Sequence, residues 1–177
     1  MTAPEAVTTD DLTTEEFRRA LGHVPTPVAI VATVVDGAPV GMTVGSFASV
    51  SLNPRLITFF VDDASSTWPR MSESPTFAVN ILGHESGALC RTFSGRGDRF
   101  ANVAWAESGS GDPFLSDAVL SLQCRAHSTR RLGDHVQVVG TVTETRVHRS
   151  TMPLVYHRSN FLDLGNADRD IDARSPA

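Results

Sequence analysis

Three apolar segments rich in β-branched residues, at 28–35, 40–50 and 56–61, follow one another with only short turns between them. The connections contain Asp36-Gly37 and Asn53-Pro54, which are typical of tight turns. Because parallel strands need crossover connections of roughly a dozen residues or more, these segments predict an antiparallel meander. This succession constrains the fold more than any other feature of the chain.

The second half of the chain continues the β pattern. From residue 120 apolar and polar side chains alternate, which is typical of an antiparallel strand with one face in the core and one in solvent. The predicted inward set is Leu120, Leu122, Cys124 and Ala126, and the outward set is Ser121, Gln123, Arg125 and His127. The other strands are predicted at 77–82, 136–147, 154–156 and 160–164.

Short helices complete the pattern. A capping box of Thr13 and Glu16 predicts a helix that ends at Gly22. Two further short helices are predicted at 65–71 and 84–93, and the Gly-, Ser- and Asp-rich residues 94–114 form the longest predicted loop. About six antiparallel strands with two or three short helices indicate a barrel or a strongly curled sheet, since closure removes exposed strand edges.

The length of 177 residues suits one domain, which we place at 13–165, between a flexible arm at 1–12 and a disordered tail at 166–177. A net charge of −5 without a Lys/Arg run argues against nucleic acid as a partner. No apolar run is long enough to span a membrane and no signal-peptide pattern begins the sequence. We therefore expect a cytoplasmic protein with reduced thiols at Cys90 and Cys124.

Motifs that would assign other chemistries are missing from the sequence. There is no GxGxxG dinucleotide fingerprint, no GxxxxGK[ST] phosphate loop and no histidine spacing that suits a metal, so no metal is expected. The segment from Gly41 to Gly45 has the spacing of a hydrolase nucleophile elbow, with Thr43 in the nucleophile's place. That elbow requires a strand-turn-helix, whereas the residues after Gly45 predict a strand.

Residues 41–54 carry the clearest sign of a ligand. The glycines at 41 and 45 would let a flat ligand approach the backbone closely. Hydroxyl groups that could bond the edges of a heteroaromatic ring are carried by Thr43, Ser46, Ser49 and Ser51. An ordinary small-residue strand that closes a barrel is the alternative interpretation.

Seven motifs are spread along the chain from residue 17 to about 164. They are Phe17-Arg18-Arg19-Ala20-Leu21-Gly22 with Thr26-Pro27-Val28, residues 41–54, Ser65-Ser66-Thr67-Trp68, Phe77-Ala78-Val79-Asn80-Ile81-Leu82, Asp98-Arg99-Phe100-Ala101, Gly133-Asp134-His135 and Tyr156-His157-Arg158. In this order and spacing they resemble the flavin reductase family, the small NAD(P)H:flavin oxidoreductases that serve two-component monooxygenases.

The resemblance implies an FMN-binding split barrel, an antiparallel Greek-key β-barrel with a few short helices, that forms a homodimer. It also implies FMN or FAD in an extended groove, NADH or NADPH as co-substrate, and diffusion of reduced flavin to a separate monooxygenase component. We therefore interpret the chain as an NAD(P)H-dependent flavin reductase with no certain catalytic residue, because hydride passes directly between the cofactors. A non-catalytic flavin carrier or sensor of the same fold is the alternative.

The resemblance also implies which residues bind flavin. The turn Ser65-Ser66-Thr67 would hold the phosphate at the start of a helix, and a plain N-cap is the alternative. The full predicted set is Thr26, Pro27, Thr43, Val44, Gly45, Ser46, Ser49, Ser65, Ser66, Thr67, Asn80, Arg99 and Phe100. Two positions depart from the family pattern: Pro27 replaces a glycine and so lacks a backbone donor, and Arg99 replaces a frequent lysine.

NAD(P)H is implied to lie beside Gly133-Asp134-His135. The imidazole of His135 would hydrogen-bond the nucleotide, but we expect no general-acid role, since hydride transfer needs alignment more than proton transfer. The other predicted nucleotide contacts are His157, Arg158 and Phe161. The alternative is a solvated turn histidine and a charged rim at a strand end.

Overall fold

The computed structural model describes residues 12–162 and Leu164. The helices are α1 (Thr14–Leu21), α2 (Trp68–Met71) and α3 (Gly87–Ser94), the last preceded by a 3-10 turn at His84–Ser86. The strands are β1 (Thr26–Pro27), β2 (Ala29–Val35), β3 (Ala38–Val44), β4 (Ala48–Leu52), β5 (Arg55–Asp62), β6 (Thr76–Leu82), β7 (Trp105–Glu107), β8 (Pro113–Leu115), β9 (Ala118–Leu132), β10 (His135–Val147), β11 (Val155–His157) and β12 (Asn160–Leu162).

Seven of these strands form one antiparallel sheet in the order β3-β2-β6-β9-β10-β5-β4. Its two edge strands, β3 and β4, are consecutive in the chain. Ser46, in the link between them, is bonded to β5: the Phe60 N–H donates to the Ser46 Oγ at 2.8 Å, and the Ser46 hydroxyl donates to the Phe60 carbonyl at 3.1 Å. The predicted antiparallel barrel is confirmed, and we call the line where β3 lies beside β5, next to Ser46, the seam.

Both faces of β2 are buried, which fixes the position of α3. Ala29 and Val31 face the barrel interior together with Phe59 and Val79. The alternate residues face outward into a second apolar cluster, which includes Ile30, Ala32, Leu82, Phe93, Leu115 and Leu154. Because Phe93 of α3 is 1% exposed in this cluster, the helix is anchored beside β3.

The single strand predicted at 40–50 is wrong. The chain leaves β3 after Val44, bends through residues 45–47 and re-enters the sheet as β4 at its opposite edge. β3 pairs with β2, and β4 pairs with β5. Thr43 therefore lies within a strand that leads to another strand, which excludes the nucleophile elbow of a hydrolase.

The outward face predicted for β9 is also wrong in its first half. Ser121 and Gln123 are fully buried, because part of the predicted 94–114 loop forms the β7–β8 hairpin and covers them. The Gln123 Nε2 donates to the Asp112 Oδ2 at 2.7 Å, and Asp112 is itself 2% exposed. Alternation predicts one solvent face, and a second layer of polar partners overrides that prediction.

The helix predictions are confirmed with one change. Thr13 and Glu16 form the capping box of α1, which buries none of its residues. The helix predicted from residue 65 begins only at Trp68 and has a single turn. The 84–93 prediction corresponds to the 3-10 turn and α3.

The predicted arm at 1–12, apart from the exposed Leu12, and the predicted tail at 166–177 lie outside the described residues. Within the described part of the chain, every helix is too short or too polar to cross a membrane. Cys90 and Cys124 are both buried and unpaired with each other. Burial raises the pKa of the Cys124 thiol to about 12, which makes it unreactive at neutral pH.

Candidate functional site

A groove on the outside of the barrel consists of two adjoining cavities that share Ser66, Thr67 and Arg99. The inner groove, about 390 Å³, lies between residues 42–44 of β3, residues 60–62 of β5 and the end of α3. The outer groove, about 340 Å³, continues along residues 38–41 and is bounded by Arg70 and residues 96–100. The three shared residues lie where the two meet, which we call the junction.

Arg99 is held in place at the junction by the protein itself. Its Nε donates to the Gly95 carbonyl at 2.9 Å, and its Nη1 donates to the Gly41 carbonyl at 2.7 Å and to the Thr67 Oγ1 at 3.0 Å. Among the described residues none accepts a bond from its Nη2. A half-buried guanidinium fixed in this way, with N–H groups to spare, is suited to a phosphate.

The turn at Ser65 contributes differently from the sequence prediction. The Ser65 Oγ accepts hydrogen bonds from the backbone N–H groups of Thr67 at 3.3 Å and Trp68 at 3.2 Å. Two of the amides expected to face a phosphate are thus used within the turn. With α2 only one turn long, the positive charge at the junction comes from Arg99 and not from a helix end.

The β3 wall of the groove depends on close packing against α3. The Thr43 hydroxyl donates to the Cys90 carbonyl of α3 at 3.2 Å. A Cβ added at Gly41 would lie 2.9 Å from the Phe93 Cε1 and 3.0 Å from the Val31 carbonyl oxygen. Only glycine at position 41 lets Phe93 seat this close to the strand, so the glycine sets the distance between the two walls.

The structure brings together about half of the predicted flavin residues. Those that line the inner groove are Thr43, Val44, Ser65, Ser66, Thr67 and Arg99, and Phe100 lines the outer groove. Gly45 lies beside Thr26, whose Oγ1 would be 3.3 Å from a Cβ at Gly45. The members that do not line either cavity are Thr26, Pro27, Gly45, Ser46, Ser49 and Asn80.

Asn80 lies in a sealed environment on another part of the barrel. Its side chain is fully buried, its Nδ2 donates to the Pro113 carbonyl at 3.0 Å, and its Oδ1 accepts from the Leu115 N–H at 2.9 Å. The Ser121 hydroxyl donates to the same oxygen at 2.6 Å. These bonds give Asn80 a structural task in holding β8.

The sequence reasoning did not identify several groove residues, namely Met42, Phe60, Asp62, Phe93, Ser94, Arg70 and Arg96. Phe93 follows a helical apolar pattern, which predicts burial and not a cavity wall. The chain contains no lysine, and its arginines are scattered through it. No local pattern therefore distinguishes Arg70 and Arg96 from the other arginines.

The predicted nucleotide residues lie on two elements. His135 is opposite Asp62 in the sheet, one strand from the inner groove. Its Nδ1 is 2.7 Å from the Asp134 Oδ1, and the hydrogen bond from His135 is the main cause that lowers the pKa of Asp134. His157, Arg158 and Phe161 belong to the β11–β12 hairpin and its turn.

The β11–β12 hairpin packs against α3. The Phe161 ring would lie 3.0 Å from a Cβ at Gly87, and the Arg91 guanidinium carbon is 5.7 Å from the ring centroid. The hairpin is joined to the barrel through β1, which pairs with β11. His135 and the hairpin thus belong to different elements, and no described residue of the hairpin lines either cavity.

A family model described as a flavin reductase like domain matches residues 21–165, most of the chain. The chain belongs to this family. This flavin reductase-like chain is 34% identical over 165 residues to the reductase subunit of a flavin-dependent monooxygenase from Rhodococcus jostii. The matched residues cover 93% of this chain and 85% of that protein. It is 38% identical over 154 residues to an NADH:riboflavin 5′-phosphate oxidoreductase from Streptomyces pristinaespiralis, with 83% and 86% covered.

Solved structures agree with the family assignment. An NADH:FAD oxidoreductase from Streptomyces globisporus, in complex with NAD and FAD fragments, superposes on this flavin reductase-like chain with a TM-score of 0.83 at 31% identity. The alignment covers 93% of this chain and all of that one. The predicted split-barrel fold is confirmed.

Proposed function

We propose that the protein is an NAD(P)H:flavin oxidoreductase, which reduces FMN or FAD and supplies reduced flavin to a separate monooxygenase. The groove with a fixed arginine at its junction is the observation that carries the proposal. The inner groove suits a ring and ribityl chain, and Arg99 with the Ser66 hydroxyl suits the phosphate that follows. Membership of the flavin reductase-like family supports the same chemistry.

The protein's part in the reaction is to bind and align. The flavin supplies the electron-accepting ring and NAD(P)H the hydride. Phe93 and Val44 provide buried apolar walls, and Ser46 holds the link that follows β3 against Phe60 of β5. Arg99 anchors the phosphate end, and His135 lies near the groove as a candidate contact for the nucleotide. No described side chain is required to move a proton during hydride transfer.

The homodimer remains part of the proposal. β4 is an edge strand, and its Val50 and Leu52 are 52% and 87% exposed. The helix α1 also presents Phe17 and Leu21, each about half exposed, without burying any residue. Apolar side chains on an edge strand and on a helix that buries none of its residues support association through a two-fold interface. Transfer of reduced flavin to the monooxygenase is proposed to be diffusive.

One experiment distinguishes a flavin reductase from a flavin carrier or sensor and from a protein without a flavin function. Oxidation of NADH and of NADPH is followed with riboflavin, FMN or FAD present, alongside direct titration of each flavin. Flavin-dependent oxidation above the uncatalysed rate supports the reductase. Tight flavin binding without turnover would instead favour a carrier or sensor, and neither binding nor turnover would reject a flavin function.

A further inference from the structure

The outer groove concentrates positive charge in a chain whose net charge is −5. Arg70, Arg96 and Arg99 all line it, against the single carboxylate of Asp98. That carboxylate already accepts a hydrogen bond from the Phe100 N–H at 3.0 Å. Guanidinium groups gathered around one cavity repel each other, and an anion bound between them removes that repulsion.

Arg70 and Arg96 carry exposed charges that form no ion pair with a described residue. Ion pairs in the described part of the chain involve Arg19, Arg131, Arg146 and Arg149, but neither Arg70 nor Arg96. Both side chains are exposed, and no described residue accepts a hydrogen bond from either. They are therefore available to an anionic ligand in the outer groove.

The charged and apolar residues follow one another along the two cavities in an order that indicates which ligand would fit. A flavin in the inner groove places its first phosphate at the junction, against Arg99. FMN ends there and would leave the outer groove empty. FAD continues with a second phosphate, which meets Arg70 and Arg96, and an adenosine, for which Pro39 and Phe100 provide apolar surface.

We propose that the preferred flavin of this protein is FAD, with its adenosine monophosphate half in the outer groove and Arg70 and Arg96 as the residues that discriminate it from FMN. This inference depends on the proposed function, because it assigns the inner groove to a flavin. The same diphosphate chemistry is also present in NAD(P)H, so the test must separate the two sources.

The test compares riboflavin, FMN and FAD by fluorescence titration of the full-length protein and of Arg70→Ala, Arg96→Ala and the double variant. We expect the unsubstituted protein to bind FAD at least about tenfold more tightly than FMN. Each single substitution should weaken FAD about five- to tenfold and leave FMN and riboflavin unchanged. AMP, which corresponds to the half of FAD placed in the outer groove, should compete with FAD and not with FMN. Arg125→Ala removes an exposed arginine that lines neither cavity and should change nothing.

Three results would overturn the inference. The first is equal affinity for FMN and FAD in the unsubstituted protein, and the second is an equal loss of both flavins in the arginine variants. The third is a raised KM for NAD(P)H with unchanged FAD binding, which would assign the outer groove to the pyridine nucleotide. Each of these leaves flavin reduction intact, whereas absence of binding by all three flavins would reject the proposed function itself.

Discussion

Two polar clusters lie outside the same barrel and are built in opposite ways. The sealed cluster comprises Thr33, Asn80, Asp112, Ser121 and Gln123, each at most 2% exposed. In the groove, by contrast, Arg70 and Arg96 are exposed and line the open outer groove. Every buried side-chain nitrogen and oxygen of the described residues has a partner, so unsatisfied polar groups occur only where solvent or a ligand can reach them.

The difference shows how polar residues divide between stability and binding. In the sealed cluster each group satisfies another, and the product is a fixed β7–β8 hairpin over β9. Removal of one member leaves buried partners without a bond, which costs about 1–3 kcal/mol for each group. In the groove, removal of Arg70 or Arg96 leaves no described residue without a hydrogen-bond partner. Substitutions in the sealed cluster should therefore lower the free energy of unfolding, and substitutions in the groove should lower ligand affinity.

Asn80→Ala should give the largest effect. It leaves the Leu115 N–H and the Pro113 carbonyl without their partner, so we expect a loss of about 3 kcal/mol in the free energy of unfolding. For a chain of this size that lowers the Tm by about 6–12 °C. Thermal unfolding measures the loss, with Ser66→Ala in the groove as the control that should keep its Tm. A flavin defect in Asn80→Ala without loss of stability would break the comparison.

Arg99→Gln tests the open side. It removes the charge at the junction, so FMN binding should weaken by about 1.5–3 kcal/mol, which is tenfold or more. Riboflavin has no phosphate and should bind as before. Because Arg99 also bonds the Gly41 carbonyl, the Tm is measured in parallel. An equal loss for riboflavin and FMN would show that Arg99 shapes the groove and does not bind phosphate.

Ser46→Ala tests whether Ser46 stabilises the fold or binds flavin. Its hydroxyl makes both hydrogen bonds to Phe60 of β5 at the seam, so we expect a loss of about 1–2 kcal/mol in stability. The predicted role as a flavin contact would appear instead as weakened riboflavin binding. Chemical denaturation and riboflavin titration on one preparation distinguish the two roles. Unchanged stability would show that the two Ser46 hydrogen bonds do not stabilise the closed barrel.

His135→Ala should affect the nucleotide alone. The side chain is 44% exposed and, among the described residues, bonds only the exposed Asp134, so stability should change little. Loss of one hydrogen bond to NAD(P)H, worth about 1 kcal/mol, should raise the KM several-fold. Steady-state kinetics measure this, and flavin affinity should be unchanged. A fall of several thousandfold in kcat would contradict the expectation that no proton transfer is needed.

The smallest expected effect is a pH dependence of stability that arises from His148, which contacts Ser121 of the sealed cluster. His148 contacts the Ser121 Oγ at 2.9 Å, and burial is the main cause that lowers its pKa, followed by Arg146 and Arg149. The unfolded chain therefore binds a proton at His148 before the folded protein does, and stability falls as the pH drops below about 6.5. The Tm of His148→Gln should decline less between pH 7.5 and 5.5. An identical decline would exclude His148 as a source.

Sequence patterns predicted most strands, because apolar runs and turn residues report directly on pairing between neighbours. They failed at residues 45–47, where a local run of small residues looks continuous and the change of sheet edge depends on distant partners. They failed at Gln123 for the same reason, since its burial requires Asp112 of another hairpin. Arg70 and Arg96 were not predicted as groove residues, because the fold forms the cavity and their neighbours in the sequence carry no sign of it.

The seam at Ser46 gives the barrel one line along which it can open without breaking a ladder of strand hydrogen bonds. Because residues 45–47 link the two edges, an opened seam recloses at little cost in loop entropy. Residues 42–44 and Phe60 stand on opposite sides of it and both line the inner groove. An opening of the seam would therefore also widen the inner groove. The Phe60 amide should exchange with deuterated solvent sooner than that of Val79, and a bound flavin should slow it.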